Sequence, residues 1–150
     1  MPSRPDWLLL FIGADGDKHP LDQLRVMKGL FLLSLSLEPL SGHYSFTPYD
    51  FGPFDSKVYR DLDELQARGF IDSTNVGIGR RRDFWLTELG RRRYIELQAS
   101  VSGDNFDEIQ AAKTYVTSLD ADALLSDVYE RFPEFRSRSI ARVARQNSAA

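Results

Sequence analysis

The chain has 150 residues, of which 42% are hydrophobic and 27% charged, with a formal net charge of −3. That much apolar surface offsets chain entropy, which excludes disorder throughout and fits a single domain over 1–150. Cysteine is absent, which excludes a disulfide scaffold, a thiolate zinc site and a cysteine nucleophile together and agrees with a cytoplasmic setting.

No segment reads as secretory or membrane-spanning. The run Trp7 to Ile12 is apolar, but Asp6 precedes it and Asp15 and Asp17 follow, with no basic start or small-residue cleavage site. Gly29 to Leu37 is too short to cross a bilayer, so a soluble protein without membrane contact is expected. The negative charge is awkward for a nucleic-acid binder, so its distribution matters more than its sum. From Phe54 to Gln98 there are nine Lys or Arg against eight acids; Val101 to Glu130 carries one Lys against seven acids, and Arg131 to Arg145 five Arg against one Glu. Charge is segregated into faces.

In chain order, Pro5 to Ile12 predicts a short helix with Asp6 near its N-terminus. Gly13 to Asp17 is a loop. His19-Pro20-Leu21-Asp22-Gln23 reads as a helix start, and Leu21, Leu24, Met27, Lys28 and Phe31 follow helical spacing. The apolar character then broadens through Leu37, which marks this helix as the central one. Tyr44, Phe46, Tyr49 and Phe51 form an extended aromatic segment interrupted by Pro48, and Gly52-Pro53 turns the chain. Asp55 or Ser56 caps a helix over 56–68 with Val58, Leu62 and Leu65 as its buried stripe, and Gly69 closes it. Ile71 to Val76 and Asp83 to Leu86 predict a hairpin around Gly77-Ile78-Gly79. Thr87 caps the next helix, carrying Leu89, Tyr94, Ile95 and Leu97. After Ser102-Gly103-Asp104 come two more helices, one marked by Phe106, Ile109, Ala112, Val116 and Leu119. The other is capped by Asp120 and ends near Pro133. The tail from Arg136 reads as a weak helix.

This order predicts a mainly α (α+β) fold: a winged helix-turn-helix with a small hairpin wing, about 5–98, and a helical extension, about 104–145. The run Tyr44 to Tyr59, with Gly52-Pro53 inside it, resembles the aromatic Gly-Pro segment of the YwgA-like bacterial winged-helix proteins. It is more distantly similar to the Panacea group with its SocA-like antitoxins. Asp61 to Ile71, Phe84-Trp85-Leu86-Thr87-Glu88-Leu89-Gly90 and Leu124 to Phe135 continue the likeness. The resemblance implies prokaryotic regulation, toxin neutralisation or phage defence, and it carries no catalytic residues to transfer.

Candidate nucleic-acid contacts are Lys57, Arg60 and Arg68 on helix 56–68, together with Arg80, Arg81 and Arg82 at the wing. Wing arginines reach phosphates or a narrow minor groove, whereas the bland alternative pairs them with Asp72 and Asp83 across the hairpin. Asp61, Asp63 and Glu64 on the same helix oppose a polyanion and suit a protein partner at least as well. Arg91-Arg92-Arg93 works against the helix dipole, so pairing with acids such as Glu88 and Glu96 is expected, with an anionic ligand as the alternative. The aromatics Tyr44, Phe46, Tyr49, Phe51 and Phe54 read as core and rim packing, with a ligand pocket as the alternative. The basic, apolar stretch after Arg131 suggests packing on the body or on a second protomer, and a homodimer is expected.

Catalysis is not expected. His19 and His43 lack metal-ligand spacing, Gly77-x-Gly79 lacks the third glycine of a dinucleotide loop, and no Walker loop or nucleophile elbow occurs. No cofactor or metal is expected. Two functions follow: a winged-helix transcriptional regulator binding duplex DNA, or a protein-interaction module of antitoxin or phage-defence type whose partner is a toxin or defence component.

Overall fold

The computed structural model describes residues 2–74, 81–137 and 139–141. Helix α1, Arg4–Ile12, opens with reciprocal caps: the Ser3 hydroxyl accepts from the Asp6 amide, and the Asp6 carboxylate accepts from the Ser3 amide at 2.9 Å. From Leu8 to Ile12 every side chain is fully buried. A helix apolar on all sides belongs at the centre of a domain. That place falls to α1, not to the following helix as the broad apolar run suggested.

Residues Leu21–Asp22 form strand β1, pairing Leu21 with Phe84 and Asp22 with Asp83, and helix α2 runs over Gln23–Ser36. Leu21 and Asp22 therefore belong to a sheet and not to the helical first turn that Pro20 and Asp22 imitate. The helix buries Val26 to Phe31 and Leu33, while Leu35 is exposed.

A turn of 3-10 helix, Glu38–Leu40, leads to a hairpin of β2, Thr47–Tyr49, and β3, Gly52–Phe54. Pro48 faces Pro53 and Tyr49 faces Gly52. Two prolines opposite each other lack ladder donors, which suits a detached two-stranded ribbon. The bend lies at Asp50 and Phe51, so Gly52-Pro53 starts the return strand instead of turning the chain. Gly52 has φ 88°, a conformation that favours glycine.

Helix α3, Ser56–Ala67, begins under Asp55, whose carboxylate accepts from the Lys57 amide at 2.9 Å. It ends at Gly69, with φ 81°, and the Phe70 amide donates back to the Leu65 carbonyl at 2.9 Å. Strands β4, Ile71–Ser73, and β5, Asp83–Leu86, follow. The antiparallel sheet has the order β1-β5-β4. The expected strand residues 75–76, the hairpin tip Gly77-Ile78-Gly79 and Arg80 lie outside the described residues.

Thr87 joins two elements. Its hydroxyl donates to the Gly69 carbonyl and accepts from the Gly90 amide at 3.0 Å, capping α4, Glu88–Ser100. Phe70 approaches so closely that a Cβ built on Gly90 would stand 1.8 Å from the Phe70 carbonyl oxygen. The Leu86-Thr87-x-x-Gly90 step is thus a packing device that locks the end of α3 to the start of α4.

Helices α5, Gly103–Ser118, and α6, Ala121–Arg131, pack on α1 and α2. Their seam is polar. Arg25 of α2 donates to the carbonyls of Val116 at 2.9 Å and Leu119 at 2.6 Å. Lys113, fully buried, donates to the Ile12 carbonyl and the Asp15 carboxylate. Residues Pro133–Arg136 form a short 3-10 turn, and most of the weak helix expected from Arg136 onward, residues 138 and 142–150, lies outside the described ones. Among the described residues no helix is long and apolar enough to cross a membrane.

Replacing Gly90 with Ala should destabilise the protein by about 2–3 kcal/mol, since backbone must move to admit the methyl. Urea unfolding measures this, and a loss under about 0.5 kcal/mol would dissociate Gly90 from the α3–α4 lock.

Candidate nucleic-acid interface

Helix α3 is held by a polar cluster that its pattern disguises. Asp61 is 2% exposed. It receives Arg4 Nε on Oδ2 at 2.8 Å and Arg4 Nη2 on Oδ1 at 2.9 Å, and the Tyr44 hydroxyl donates to Oδ2. Burial, with Asp61 beside it, pushes the Tyr44 phenol well up, so it remains a donor. The Asp61 hydrogen bond raises the Arg4 guanidinium likewise. The expectation that Asp61 faces outward is therefore overturned. It sits on the Val58–Leu62–Leu65 side of the helix, and its charge is spent on tying α1 and the segment before β2 to α3.

The outer face of α3 shows Arg60, Asp63, Glu64, Ala67 and Arg68. No described residue pairs with Arg60. Arg68 lies over the Phe70 ring at 5.4 Å. Lys57 is half-exposed, 3.6 Å from Asp55. The carboxyl of Asp55 is buried, which alone would raise it. Amide donors from Ser45 and Lys57 and the Lys57 charge outweigh this and hold it below the ordinary carboxylate range. Two acids thus remain on the exposed face among these three cations.

The arginines beside β5 divide. Arg81 is 62% exposed and pairs with Asp83 at 2.8 Å and Asp22 at 4.0 Å. Asp83 was the partner expected of a self-paired hairpin; Asp22 of β1 was not. Arg82 does not project. Its Nη2 donates to Ser73 Oγ at 2.8 Å and Gln66 Oε1 at 3.1 Å, and its guanidinium lies 4.9 Å from the Phe84 ring centre. Stacking on an apolar ring and filling two acceptors make Arg82 a brace between α3 and β4–β5, correcting its placement as a free phosphate contact. Arg80 lies outside the described residues.

The three arginines at the start of α4 pair internally: Arg91 with Asp17 at 3.2 Å, Arg92 with Glu88 at 3.0 Å, and Arg93 with both Asp6 and Glu96 at 3.3 Å. Asp6 and Asp17 come from distant sequence, which no helical spacing could announce. Of the expected contacts that lie among the described residues, Lys57, Arg60, Arg68 and Arg81 remain at the surface. No protein-family model matches the chain, and no curated protein matches it.

Asp61→Asn should lower stability by about 2–3 kcal/mol, because Arg4 loses its counter-charge in a partly buried setting. Tyr44→Phe should cost about 1 kcal/mol. Equal, negligible losses in urea unfolding would show that this cluster does not hold α3.

Proposed function

We propose that the chain is a winged-helix regulator that binds duplex DNA as a homodimer, with α3 toward the major groove and the β4–β5 hairpin as its wing. The observation that carries this is topological. The order α1-β1-α2-β2-β3-α3-β4-β5, with β5 between β1 and β4, sets a capped, outward-facing helix immediately before a pair of antiparallel strands. The likeness of the Gly52-Pro53 segment to YwgA-like proteins and the Panacea antitoxins goes with the second reading given below. Contact falls on phosphates through Lys57, Arg60, Arg68 and Arg81. Arg82 acts by holding the hairpin against α3.

The expected outcome is retention of duplex DNA at low salt with affinity falling steeply as salt rises, read by fluorescence anisotropy. Arg60→Ala and Arg68→Ala should each flatten the logarithmic salt slope by about one phosphate contact. Unaltered slopes in both variants remove α3 from the interface.

Asp63 and Glu64 on that exposed face favour a second reading, an antitoxin or defence module that presents α3 to a basic protein such as a toxin. The double reversal Asp63→Lys, Glu64→Lys separates the two. It tightens DNA binding if α3 meets phosphates. It abolishes a stoichiometric complex captured from the native host if α3 meets a protein.

A further inference from the structure

The helical spacing that turns Met27 and Phe31 into the core also carries Lys28 inward, leaving it 3% exposed. The β2–β3 hairpin closes over its stem. A Cβ built on Gly52 would lie 3.5 Å from Lys28 Cε and 3.3 Å from Tyr129 Cε1. Lys28 Nζ donates to the Pro53 carbonyl at 3.0 Å, and among the described residues no carboxylate pairs with it. An ammonium has three donors, and burying its charge against a single carbonyl is costly. A methionine would fill the same space without that cost. Burial pushes the Lys28 ammonium down to about 7.

Lys28 lines an open cleft of about 620 Å³ among the start of α2, the β2–β3 hairpin, α3 and the start of α6. That is the size of a small-ligand site. At its mouth stand three large rings left in water: Tyr49 at 46%, Phe51 at 50% and Tyr59 at 39% exposed. Tyr49 stacks on Phe54 with centroids 4.7 Å apart, and Tyr59 adjoins Phe54 at 5.8 Å. Flat aromatic faces gathered in one concavity offer stacking surface for another ring.

The other charged and titratable groups facing this space leave Lys28 uncompensated. Asp22, at the start of α2, is answered by Arg25 at 2.9 Å and Arg81 at 4.0 Å. Asp50 of the hairpin and Asp122 of α6 also line the cleft, and neither forms an ion pair with Lys28. Tyr129 of α6 is hydrogen-bonded to Ser139, and Tyr59 of α3 is held up by burial.

We propose that this cleft binds a small aromatic monocarboxylate, its anion on Lys28 Nζ and its ring against Tyr49, Phe51 and Phe54. The carboxylate supplies a counter-charge that none of the described residues gives Lys28, and the ring covers apolar surface otherwise left in water. A neutral ring leaves the ammonium unanswered. The site stands whether or not the chain binds DNA.

Calorimetric titration of the full chain with benzoate, phenylacetate and 1-naphthoate, each beside its carboxamide, tests it. At about pH 6.5 at least one acid should bind tenfold or more tighter than its amide, a difference of the size expected of a charge-assisted contact. Free Lys28 is charged below about 7 and neutral above it. Because the anion selects the charged form, affinity should hold steady below that point and weaken roughly tenfold per pH unit above it, with proton uptake on binding. Lys28→Met should erase both the acid preference and the pH dependence, and Phe51→Ala, at an exposed position, should weaken acids and amides alike. Equal binding of acid and amide, no saturable binding by any of the three acids, or a pH profile that survives Lys28→Met would each overturn the assignment.

Discussion

At the seam between α1 and α3, one carboxylate receives Nε and Nη2 of Arg4 and the hydroxyl of Tyr44. The apolar stripe of Val58, Leu62 and Leu65 turns α3 toward the core, and these three donors fix Asp61 on the same side. With Asp61 turned inward, Arg60, Asp63, Glu64 and Arg68 must turn outward. Gln66 turns toward Arg82, and Tyr59 toward the cleft beside the β2–β3 hairpin. The exposed chemistry of α3 therefore follows from the apolar stripe and the buried ion pair together. Such a pair contributes little net stability against an apolar substitute, but removing one partner strands the other, so it enforces a single geometry.

Most helices and both strands of the hairpin over 71–86 were legible because their signals are local. Asp55, Thr87, Ser102 and Asp120 cap where their side chains can reach the next turn. Gly69 marks a left-handed stop. What eluded the pattern depends on partners far along the chain. Leu21 and Asp22 look helical until β5 pairs with them sixty residues later. Pro48 and Pro53 look like breakers, yet they face each other in a ribbon that needs few donors. Asp61 counts as a surface acid by type, and only Arg4 reveals otherwise.

The candidate contact residues were legible as charge, not as availability. Arg82, Arg91, Arg92 and Arg93 are each matched to acceptors or acids within the fold. A run of arginines is a poor guide to surface potential when Asp6, Asp17 and Asp22 come from other parts of the chain to meet it. Lys28 is the converse. Its spacing with Met27 and Phe31 was read as core periodicity, and the missing signal was that a cation occupied an apolar slot with no acid in helical register to answer it.

Lys113 and Arg25 give α5 a role that its place after the sheet conceals. The ammonium of Lys113 occupies the carbonyl end of α1, where the helix dipole is negative, and Arg25 ties α2 to the far end of α5. Charge and carbonyl are thus exchanged across the boundary between the sheet-bearing half and the C-terminal helices. Excising α5 and α6 would strip the Ile12 carbonyl and the Arg25 guanidinium of these partners and uncover α1 together, so the helix-and-hairpin motif leans on the helices that follow it.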